Sequence, residues 1–482
     1  MGLIVPIFKN GDRYEARNYR PVTLTSHLIK VFERVMVEKL VKYLEENSLF
    51  NERQHGFRAN RSCLSQLMDH YQHILNIMED GAKADIIYLD FAKAFNKVDH
   101  GILMRKMAKM GIAGEILCWI KAFLEGRQQV VRVKDSISCS ANVTSGVPQG
   151  TALGPLLFLI FVADVDSQLV YARASSFADD TRVVLGISCN EDRIKMQRDL
   201  EAIYHWCEQN NMMFNSGKFL HLQYGASRED ESTYGYLSSA NELIDRTQSV
   251  KDLGVKMSST CSFEEHINER YAKGSQMAGW IFRTFTTRLV ECMMELFKAL
   301  VLPLVEYCCQ LWCPRLQRQI DTLESVQRHF TGKLPDICEL SYRERLKQLR
   351  IYSLERRRER YLIIYVWKVA QGLAPNLLGE DSVELAEYSQ RRGRFCRIPP
   401  LNWRASASVR TLKENSFCVY GPKLFNVIQR HIRDFDGSLP TFKRKLDDHL
   451  TTVSDDPKIA GGNGLLVQIP LERARQMREV GL

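Results

Sequence analysis

The sequence predicts an α+β fold, with short buried strands in the first half of the chain and mainly helices in the second half. Residues 86–91 form an apolar, β-rich run that lacks the polar alternation of a half-exposed strand. Residues 175–185 have the pattern of a strand, an acidic turn and a second strand. Beyond Phe263 the apolar residues recur mainly at helical spacing. Strands followed by a run of helices are typical of the α+β class.

The same periodicity predicts the other elements. Residues 28–44 place apolar side chains such as Ile29, Phe32 and Val35 near helical spacing, with Glu33 among the charged residues between them, which indicates an amphipathic helix. Residues 129–134 are predicted to be a half-buried strand. Further helices are predicted over residues 64–78, 152–165, 192–209, 293–311, 320–330, 340–371 and 440–450. A linker is predicted over residues 379–400 and a flexible tail from residue 454.

The composition is typical of a globular protein and argues against several classes of function. The chain has 482 residues, of which 45% are hydrophobic, so it can bury a sizeable core. A net charge of +9 mildly favours a polyanionic partner. The 13 cysteines include no CxxC pair, which argues against a zinc ribbon. Since no secretory signal opens the chain and no apolar run is long enough for a membrane span, we expect a soluble protein of the cytoplasm or nucleus, with no membrane partner.

Three carboxylates are candidates for chemistry because of their position. Asp90 ends the apolar strand, and Asp179 and Asp180 occupy the acidic turn. A carboxylate in an apolar strand is costly unless it is paired or binds a cation. If the strands are neighbours, the carboxylates converge, and divalent cations relieve their repulsion. The alternative is that the paired aspartates make a solvated turn and that Asp90 caps a helix beginning at Phe91.

Seven segments in order along the first 260 residues decide between these readings. They are VPIFKNGDRYEARNYRPVTLTS (5–26), QHGFRANRSC (54–63), YLDFAKAFNKVDH (88–100), SGVPQGTALGPLLF (145–158), FADD (177–180), FNSGK (214–218) and DLGV (252–255). With them the sequence resembles the reverse transcriptases of non-long-terminal-repeat retrotransposons, especially the jockey-like and chicken-repeat-like groups. Coincidence is implausible for so many motifs in the correct order.

The resemblance implies a right-hand polymerase fold, with fingers, an antiparallel-sheet palm, a helical thumb and a helical C-terminal region. It implies the following division: an N-terminal part of the fingers at 1–85, a palm at 86–262 with a fingers insertion at about 101–145, a thumb at 263–335, and a mainly helical C-terminal region with a flexible tail at 336–482. The implied reaction is RNA-directed DNA synthesis from an RNA template, a DNA primer and deoxynucleoside triphosphates.

The resemblance also implies a role for each matching residue. Asp90, Asp179 and Asp180 correspond to the aspartates that bind two Mg²⁺ ions, for which Mn²⁺ is an expected substitute. Phe95 matches the steric gate that excludes the ribose 2′-hydroxyl, and as an alternative it is a core aromatic residue. Gln149 matches a residue that contacts the incoming nucleotide and the template.

Several further positions are candidates for contact with the substrates. Gly146 and Gly150 allow close approach of a sugar-phosphate. Lys9 and Arg58 are candidates to bind the triphosphate or the template backbone, with a solvated surface charge as the alternative. Lys218 is a candidate general acid for the departing pyrophosphate. The segment from Leu253 through Gly254 to Val255 is expected to form the turn that seats the primer terminus.

A basic helix in the second half is a candidate RNA contact. Arg356, Arg357, Arg358 and Arg360 follow a helical pattern, and residues 391–397 add a second cluster. Such patches can follow a phosphate backbone. The alternative is an ordinary charged helix face.

Two departures from the family pattern keep other functions open. Asn96 stands where the family usually has aspartate, which raises the alternative of a catalytically inactive remnant that binds RNA. An intron maturase-like polymerase and an RNA-dependent RNA polymerase are further alternatives. Related elements carry an endonuclease upstream of the first motif, so we expect this chain to be one part of a longer open reading frame.

Overall fold

The computed structural model describes residues 2–225, 235–378, 394–456 and 464–470. These residues form two compact units. Unit 1 comprises Met1–Ala59 and Lys83–Thr247, and unit 2 comprises Asn60–Ala82 and Gln248–Leu482. The finer division into fingers, palm, thumb and C-terminal region stays a prediction.

Strands are concentrated in unit 1 and helices in unit 2. The strands of unit 1 are β1 (Gly2–Phe8), β2 (Tyr19–Leu24), β3 (Lys83–Leu89), β4 (Gln128–Val133), β5 (Ser136–Ile137), β6 (Ala141–Asn142), β7 (Arg173–Phe177), β8 (Asp180–Ile187), β9 (Leu220–Tyr224) and β10 (Asp245–Thr247), and those of unit 2 are β11 (Ser249–Asp252) and β12 (Val255–Ser258). The helices of unit 1 are α1 (His27–Glu46), α3 (Ala94–Lys97), α4 (His100–Lys109), α5 (Gly114–Leu124), α6 (Leu153–Val162) and α7 (Asn190–Gln209). The helices of unit 2 are α2 (Cys63–Glu79), α8 (Glu264–Thr284), α9 (Val290–Leu296), α10 (Leu302–Glu306), α11 (Cys309–Trp312), α12 (Gln317–Thr331), α13 (Tyr342–Leu349), α14 (Leu354–Ala370), α15 (Ala407–Asn415), α16 (Phe417–Val427), α17 (Arg430–Arg433) and α18 (Leu439–Thr452). The predicted α+β class is confirmed.

The main sheet of unit 1 has the strand order β10-β9-β3-β8-β7. Its central strand β3 pairs antiparallel with both β8 and β9. Ile86 and Ile87, which point to opposite faces, are both fully buried, which explains why this strand lacks polar alternation. Helix α6 belongs to the same core, with every residue from Leu156 to Val162 buried. The antiparallel strands expected of a palm, β9, β3, β8 and β7, are thus present, and β10 adds to their edge in parallel with β9.

A second sheet of unit 1 is built on an N-terminal hairpin. Strands β1 and β2 pair antiparallel from Leu3 opposite Leu24 to Phe8 opposite Tyr19, and β4 pairs parallel to β1. The short strands β5 and β6 both pair with β4. The prediction of a strand over residues 129–134 is confirmed, whereas β1 and β2 were not predicted.

Helix α1 is present as predicted, but its buried face differs from the prediction. Phe32 and Val35 are about half exposed, whereas Glu33 is fully buried. The Glu33 carboxylate accepts hydrogen bonds from the backbone amides of Ala152 (2.7 Å) and Leu153 (3.1 Å), at the beginning of α6. The amides of a first helical turn have no partner within the helix, and a carboxylate there also meets the positive end of the helix dipole. Glu33 is therefore a structural cap and not part of a solvated face.

Two of the long helices predicted in unit 2 are interrupted. The stretch predicted at residues 293–311 contains a π-helical segment, Phe297–Val301, and Cys308 has a φ of 53° just before α11. The stretch predicted at 340–371 is divided because Arg350, with a φ of 51°, ends α13. Ser353 then caps α14 by accepting a hydrogen bond from the Arg356 amide. Periodicity alone does not register single residues with positive φ.

The described residues bear on the remaining predictions only in part. Most of the predicted linker and most of the predicted tail lie outside them, at residues 379–393, 457–463 and 471–482. Among the described helices, none has both the length and the apolar content that crossing a membrane requires.

Candidate active site

Asp90 lies at the end of the central strand of the main sheet. Strand β3 ends at Leu89, and the Asp90 side chain, 29% exposed, accepts a hydrogen bond from the Lys218 ammonium group at 2.8 Å. The backbone also joins the two motifs, because the Asn215 amide donates to the Asp90 carbonyl (2.8 Å) and Phe91 stacks on Phe214. The structure therefore brings Lys218, predicted from a separate motif, directly to Asp90.

Asp179 lies in a two-residue turn beside the same strand end. Phe177 pairs with Asp180 across the β7–β8 hairpin, so Ala178 and Asp179 form the turn. The register pairs Leu89 with Thr181, which brings Asp90 to the same end of the sheet as the turn. Burial, and next the negative charge of Asp90, raise the pKa of Asp179. Asp180 is exposed.

Two cations of the N-terminal hairpin act on the same carboxylate. Burial and Asp90 raise the pKa of Asp179, while the charges of Arg20 and Lys9 oppose that rise. Lys9 directly follows β1, and Arg20 lies in β2 opposite Ile7. Both side chains are exposed. The hairpin thus directs positive charge toward the carboxylates, as a site for a polyphosphate would require.

The donor set at this strand end fits a divalent cation. Two carboxylates that repel each other, Asp90 and Asp179, offer hard oxygen ligands. No group of three or more histidine, cysteine, aspartate or glutamate side chains suited to a metal occurs among the described residues. Mg²⁺ characteristically takes one or two protein carboxylates together with substrate phosphates and water. A site completed by a nucleotide therefore agrees with what these residues supply.

Phe95 lies on the core side of this region. Its ring stacks on Phe158 of α6, with the centroids 4.6 Å apart, and meets the half-exposed ring of Phe57 edge-on at 6.3 Å. The residue is only partly buried. The Phe95 ring therefore packs on the core through one face and is still partly accessible. This placement is compatible with a steric gate, and that role stays a prediction.

Gln149 is hydrogen-bonded to Asn96, the residue that departs from the family pattern. Its side-chain amide donates to the Asn96 side-chain oxygen at 3.2 Å, and its carbonyl accepts from the Thr23 amide at 2.7 Å. An aspartate at position 96 would offer the same acceptor. The substitution at position 96 thus preserves the contact between the two motifs.

The two glycines of this turn pack against the protein's own backbone. Gly146 has a φ of 87°, and a Cβ there would lie 2.7 Å from the Asn96 carbonyl oxygen. Gly150 has a φ of 97°, and a Cβ there would lie 3.0 Å from the Thr23 carbonyl oxygen. These internal contacts explain both glycines. A role for Gly150 at the nucleotide stays a prediction.

Arg58 is engaged within unit 1. Its guanidinium donates to both Glu45 carboxylate oxygens (2.6 and 3.1 Å) and to the Asn51 carbonyl (2.7 Å), and it lies over the Phe50 ring. Its side chain is only 7% exposed. This placement argues against a phosphate contact by Arg58 and instead favours Arg20, which had not been selected, as the partner of Lys9.

The predicted primer-seating turn is a tight hairpin in unit 2. Leu253 and Gly254 join β11 to β12 with φ values of 42° and 88°, a conformation that favours glycine at the second position. The Tyr307 hydroxyl donates to the Leu253 carbonyl at 2.9 Å. Val255 is fully buried as the first residue of β12, so it belongs to the strand and not to the turn. The role of the turn is untested.

The arginines of α14 do not form an RNA-binding face. Arg356 and Arg358 are 0% and 1% exposed. Arg357 pairs with Glu306, and Arg360 makes a two-bond ion pair with Asp447 (2.5 and 2.7 Å). The prediction of phosphate contact, and the alternative of a solvated charged face, were both wrong for these arginines, because Arg356 and Arg358 are buried and Arg357 and Arg360 pair with acids of unit 2. In the second cluster, residues 391–393 lie outside the described residues.

Gln54 is a residue of the site that the sequence did not single out. Its side chain is buried against the turn that carries Asp179, where it hydrogen-bonds Ala178. The segment around it was recognised only as a motif. Neither periodicity nor composition could have identified a buried glutamine whose side chain hydrogen-bonds the backbone of a distant turn.

Comparison with known proteins identifies the family of the chain. A family model described as reverse transcriptase (RNA-dependent DNA polymerase) matches residues 7–257, a range that contains the carboxylates, Lys9, strand β2 and helix α6. The chain belongs to the reverse transcriptase family. Members of this family generally use divalent metal ions.

Three relatives of the chain are polymerases from mobile elements of Drosophila melanogaster. The chain is 26% identical to the probable RNA-directed DNA polymerase from transposon BS, covering 70% of this chain and 38% of the relative. It is 27% identical to the X-element polymerase (68% and 37%) and 27% identical to the polymerase from mobile element jockey (67% and 36%). The predicted resemblance to non-long-terminal-repeat elements is confirmed. The chain spans less than two fifths of the length of these relatives.

Proposed function

We propose that this chain is an RNA-directed DNA polymerase that extends a DNA primer along an RNA template with deoxynucleoside triphosphates. The observation that carries the proposal is the convergence of Asp90, Asp179 and Lys218, from three separate motifs, at one end of an antiparallel sheet. Family membership and the similarity to retrotransposon polymerases support it.

In this proposal Asp90 and Asp179 hold two Mg²⁺ ions, or Mn²⁺ in their place, together with the phosphates of the nucleotide. Such ions stabilise the attacking and the leaving oxygen of an in-line phosphoryl transfer. Burial, and next the negative charge of Asp90, raise the pKa of Asp179, and a bound cation would oppose both effects by favouring the charged carboxylate. Asp180, which is exposed, has the least direct role.

Lys9, Arg20 and Lys218 surround these carboxylates with positive charge. Lys9 and Arg20 are exposed on the hairpin and can bind the triphosphate. Lys218 contacts Asp90 and is 64% exposed, so its ammonium group can turn toward a departing pyrophosphate and donate a proton to it. In this proposal Gln149, whose side chain donates a hydrogen bond to Asn96, contacts the incoming nucleotide and the template.

Primer extension on an RNA template tests the proposal. The wild-type chain should extend the primer with Mg²⁺, and Asp179→Asn should lower the rate on the order of a thousandfold, the effect of losing several kcal/mol of charge stabilisation. Asp135→Asn, the same change at an exposed position of unit 1, is the matched control and should retain wild-type activity. Equal extension by wild type and Asp179→Asn would contradict the proposal and favour an RNA-binding remnant.

Sugar selection gives a second test. If the ring of Phe95 occupies the space of a 2′-hydroxyl, Phe95→Ala should raise ribonucleotide incorporation relative to deoxynucleotide incorporation by roughly tenfold or more. Because Phe95 also stacks on Phe158, the thermal stability of the variant has to be measured beside its activity. Unchanged sugar selectivity in a folded variant would refute the gate.

A further inference from the structure

The segment around Gln54 adds an edge to the hairpin that carries Asp179. The Ser176 amide donates to the Arg53 carbonyl (3.0 Å), and the His55 amide donates to the Ser176 carbonyl (2.9 Å). These two bonds align the segment parallel to β7 for one residue pair, Gln54 beside Ser176. Beyond that pair the backbone of the hairpin turns away, and the side chain of Gln54 continues the pairing.

The Gln54 amide group satisfies both backbone groups of Ala178. Its oxygen accepts hydrogen bonds from the Ala178 amide (2.8 Å) and the Gly56 amide (2.9 Å), and its nitrogen donates to the Ala178 carbonyl (3.2 Å). Gln54 is 5% exposed, so water does not replace these bonds readily. The Gln54 side chain therefore gives the backbone of the turn the hydrogen bonds that a neighbouring strand gives to β7.

The turn needs such support because of its first residue. Ala178 has a φ of 55°, a conformation that glycine adopts freely and that costs energy in alanine. Without the bonds from Gln54, Ala178 would relax toward negative φ, and the next residue, Asp179, would change direction. The close fit of Gly56 adds to the constraint, since a Cβ there would overlap the Ala178 amide nitrogen and lie 3.1 Å from its Cα.

We propose that Gln54 is a positioning residue for catalysis, which holds Ala178 in its left-handed conformation so that the Asp179 carboxylate faces Asp90. This inference rests on the proposed function. Gln54 is buried and bonded to backbone, so it acts through Asp179 and touches neither nucleotide nor template.

The test compares Gln54→Met, which keeps the length of the side chain and removes all three bonds, with the wild type. Misplacement of a catalytic group by about 1 Å costs on the order of a hundredfold in rate, so kcat for single-nucleotide addition should fall by roughly ten- to a hundredfold. The KM for the nucleotide should stay within about threefold. Gln168→Met, the same change at an exposed position of unit 1, is the control and should leave both constants unchanged.

A second readout does not depend on activity. Hydrogen–deuterium exchange of peptides that contain residues 175–182 should accelerate in Gln54→Met, because the Ala178 amide loses its acceptor. The Gln168→Met control should exchange like the wild type in the same peptides. If Gln54→Met failed to fold, Gly56→Ala would disturb the same turn by steric overlap and should give the same loss of kcat and the same faster exchange.

Rescue at position 178 separates positioning from general destabilisation. Glycine tolerates positive φ without support, so Gln54→Met should cost at least threefold less in kcat when combined with Ala178→Gly than when made alone. Additive effects of the two substitutions, an unchanged kcat, or unchanged exchange of the turn would each overturn the proposal. A wild-type chain that fails to extend a primer would instead overturn the proposed function, and the exchange comparison would still decide whether Gln54 holds the turn.

Discussion

Substitution of the buried Glu33 should destabilise unit 1 more than most other single substitutions would. Glu33→Ala removes an acceptor for the amides of Ala152 and Leu153, which lie where α6 begins. This helix starts directly after the turn that contains Gln149 and Gly150, and its Phe158 supports Phe95. Glu33→Ala should therefore lower the stability of unit 1 and also disturb the candidate site.

The magnitude follows from the two hydrogen bonds. Each bond to a charged acceptor contributes roughly 1.5–3 kcal/mol. Part of this is offset because the variant no longer buries a charge, which leaves a net loss of about 2–4 kcal/mol in the free energy of unfolding. For a unit of this size a loss of that order lowers Tm by roughly 4–16 °C.

Differential scanning calorimetry of the full chain measures this loss. Glu38→Ala is the matched control, because Glu38 lies on the same helix and is exposed. Its Tm should stay within about 2 °C of the wild type, as surface changes usually do. A Glu33→Ala variant that melts together with Glu38→Ala would refute the idea that this carboxylate holds the beginning of α6.

Two further predictions concern an acid of unit 2 and the departure at position 96. Burial raises the pKa of Glu324 to about 7, against the opposing effects of Tyr342 and Arg358. The folded state then binds more protons than the unfolded state, whose carboxyl has the ordinary value of 4.5, so the free energy of unfolding should fall by about 1–3 kcal/mol as pH rises from about 5 to about 7.5. Urea denaturation at both pH values should show a smaller fall for Glu324→Gln, and an identical fall would contradict this assignment. Asn96→Asp keeps the acceptor for Gln149, so its kcat should stay within about threefold of the wild type, whereas Asn96→Ala should lose about tenfold; equal losses in single-nucleotide addition would show that the contact is unimportant.

The local elements of the site could be predicted from the sequence because each depends on residues close together in the chain. The apolar run before Asp90 and the acidic turn at Asp179 were both visible as strand patterns, and the structure contains β3 and the β7–β8 hairpin there. Helix α6 was likewise evident from its continuous apolar composition. Motif order then indicated that these elements share one site.

The contacts that complete the site are distant in sequence and were not predictable. Gln54 reaches Ala178 across 124 positions, and Glu33 reaches Ala152 across 119. Periodicity assigned Glu33 to a polar face because it registers polarity and not the partner that makes burial favourable. The arginines of α14 were misjudged for the same reason, since Arg360 finds its acid, Asp447, 87 positions away.

The proposed chemistry requires Asp90 and Asp179 to bind divalent metal ions together. Electron paramagnetic resonance can count the Mn²⁺ ions bound to a complex of the chain with an RNA template, a dideoxy-terminated DNA primer and the matching deoxynucleotide. We predict two ions per complex for the wild type and at most one for Asp90→Asn or Asp179→Asn, with Asp135→Asn binding like the wild type. The same number of ions in all four proteins would contradict the account.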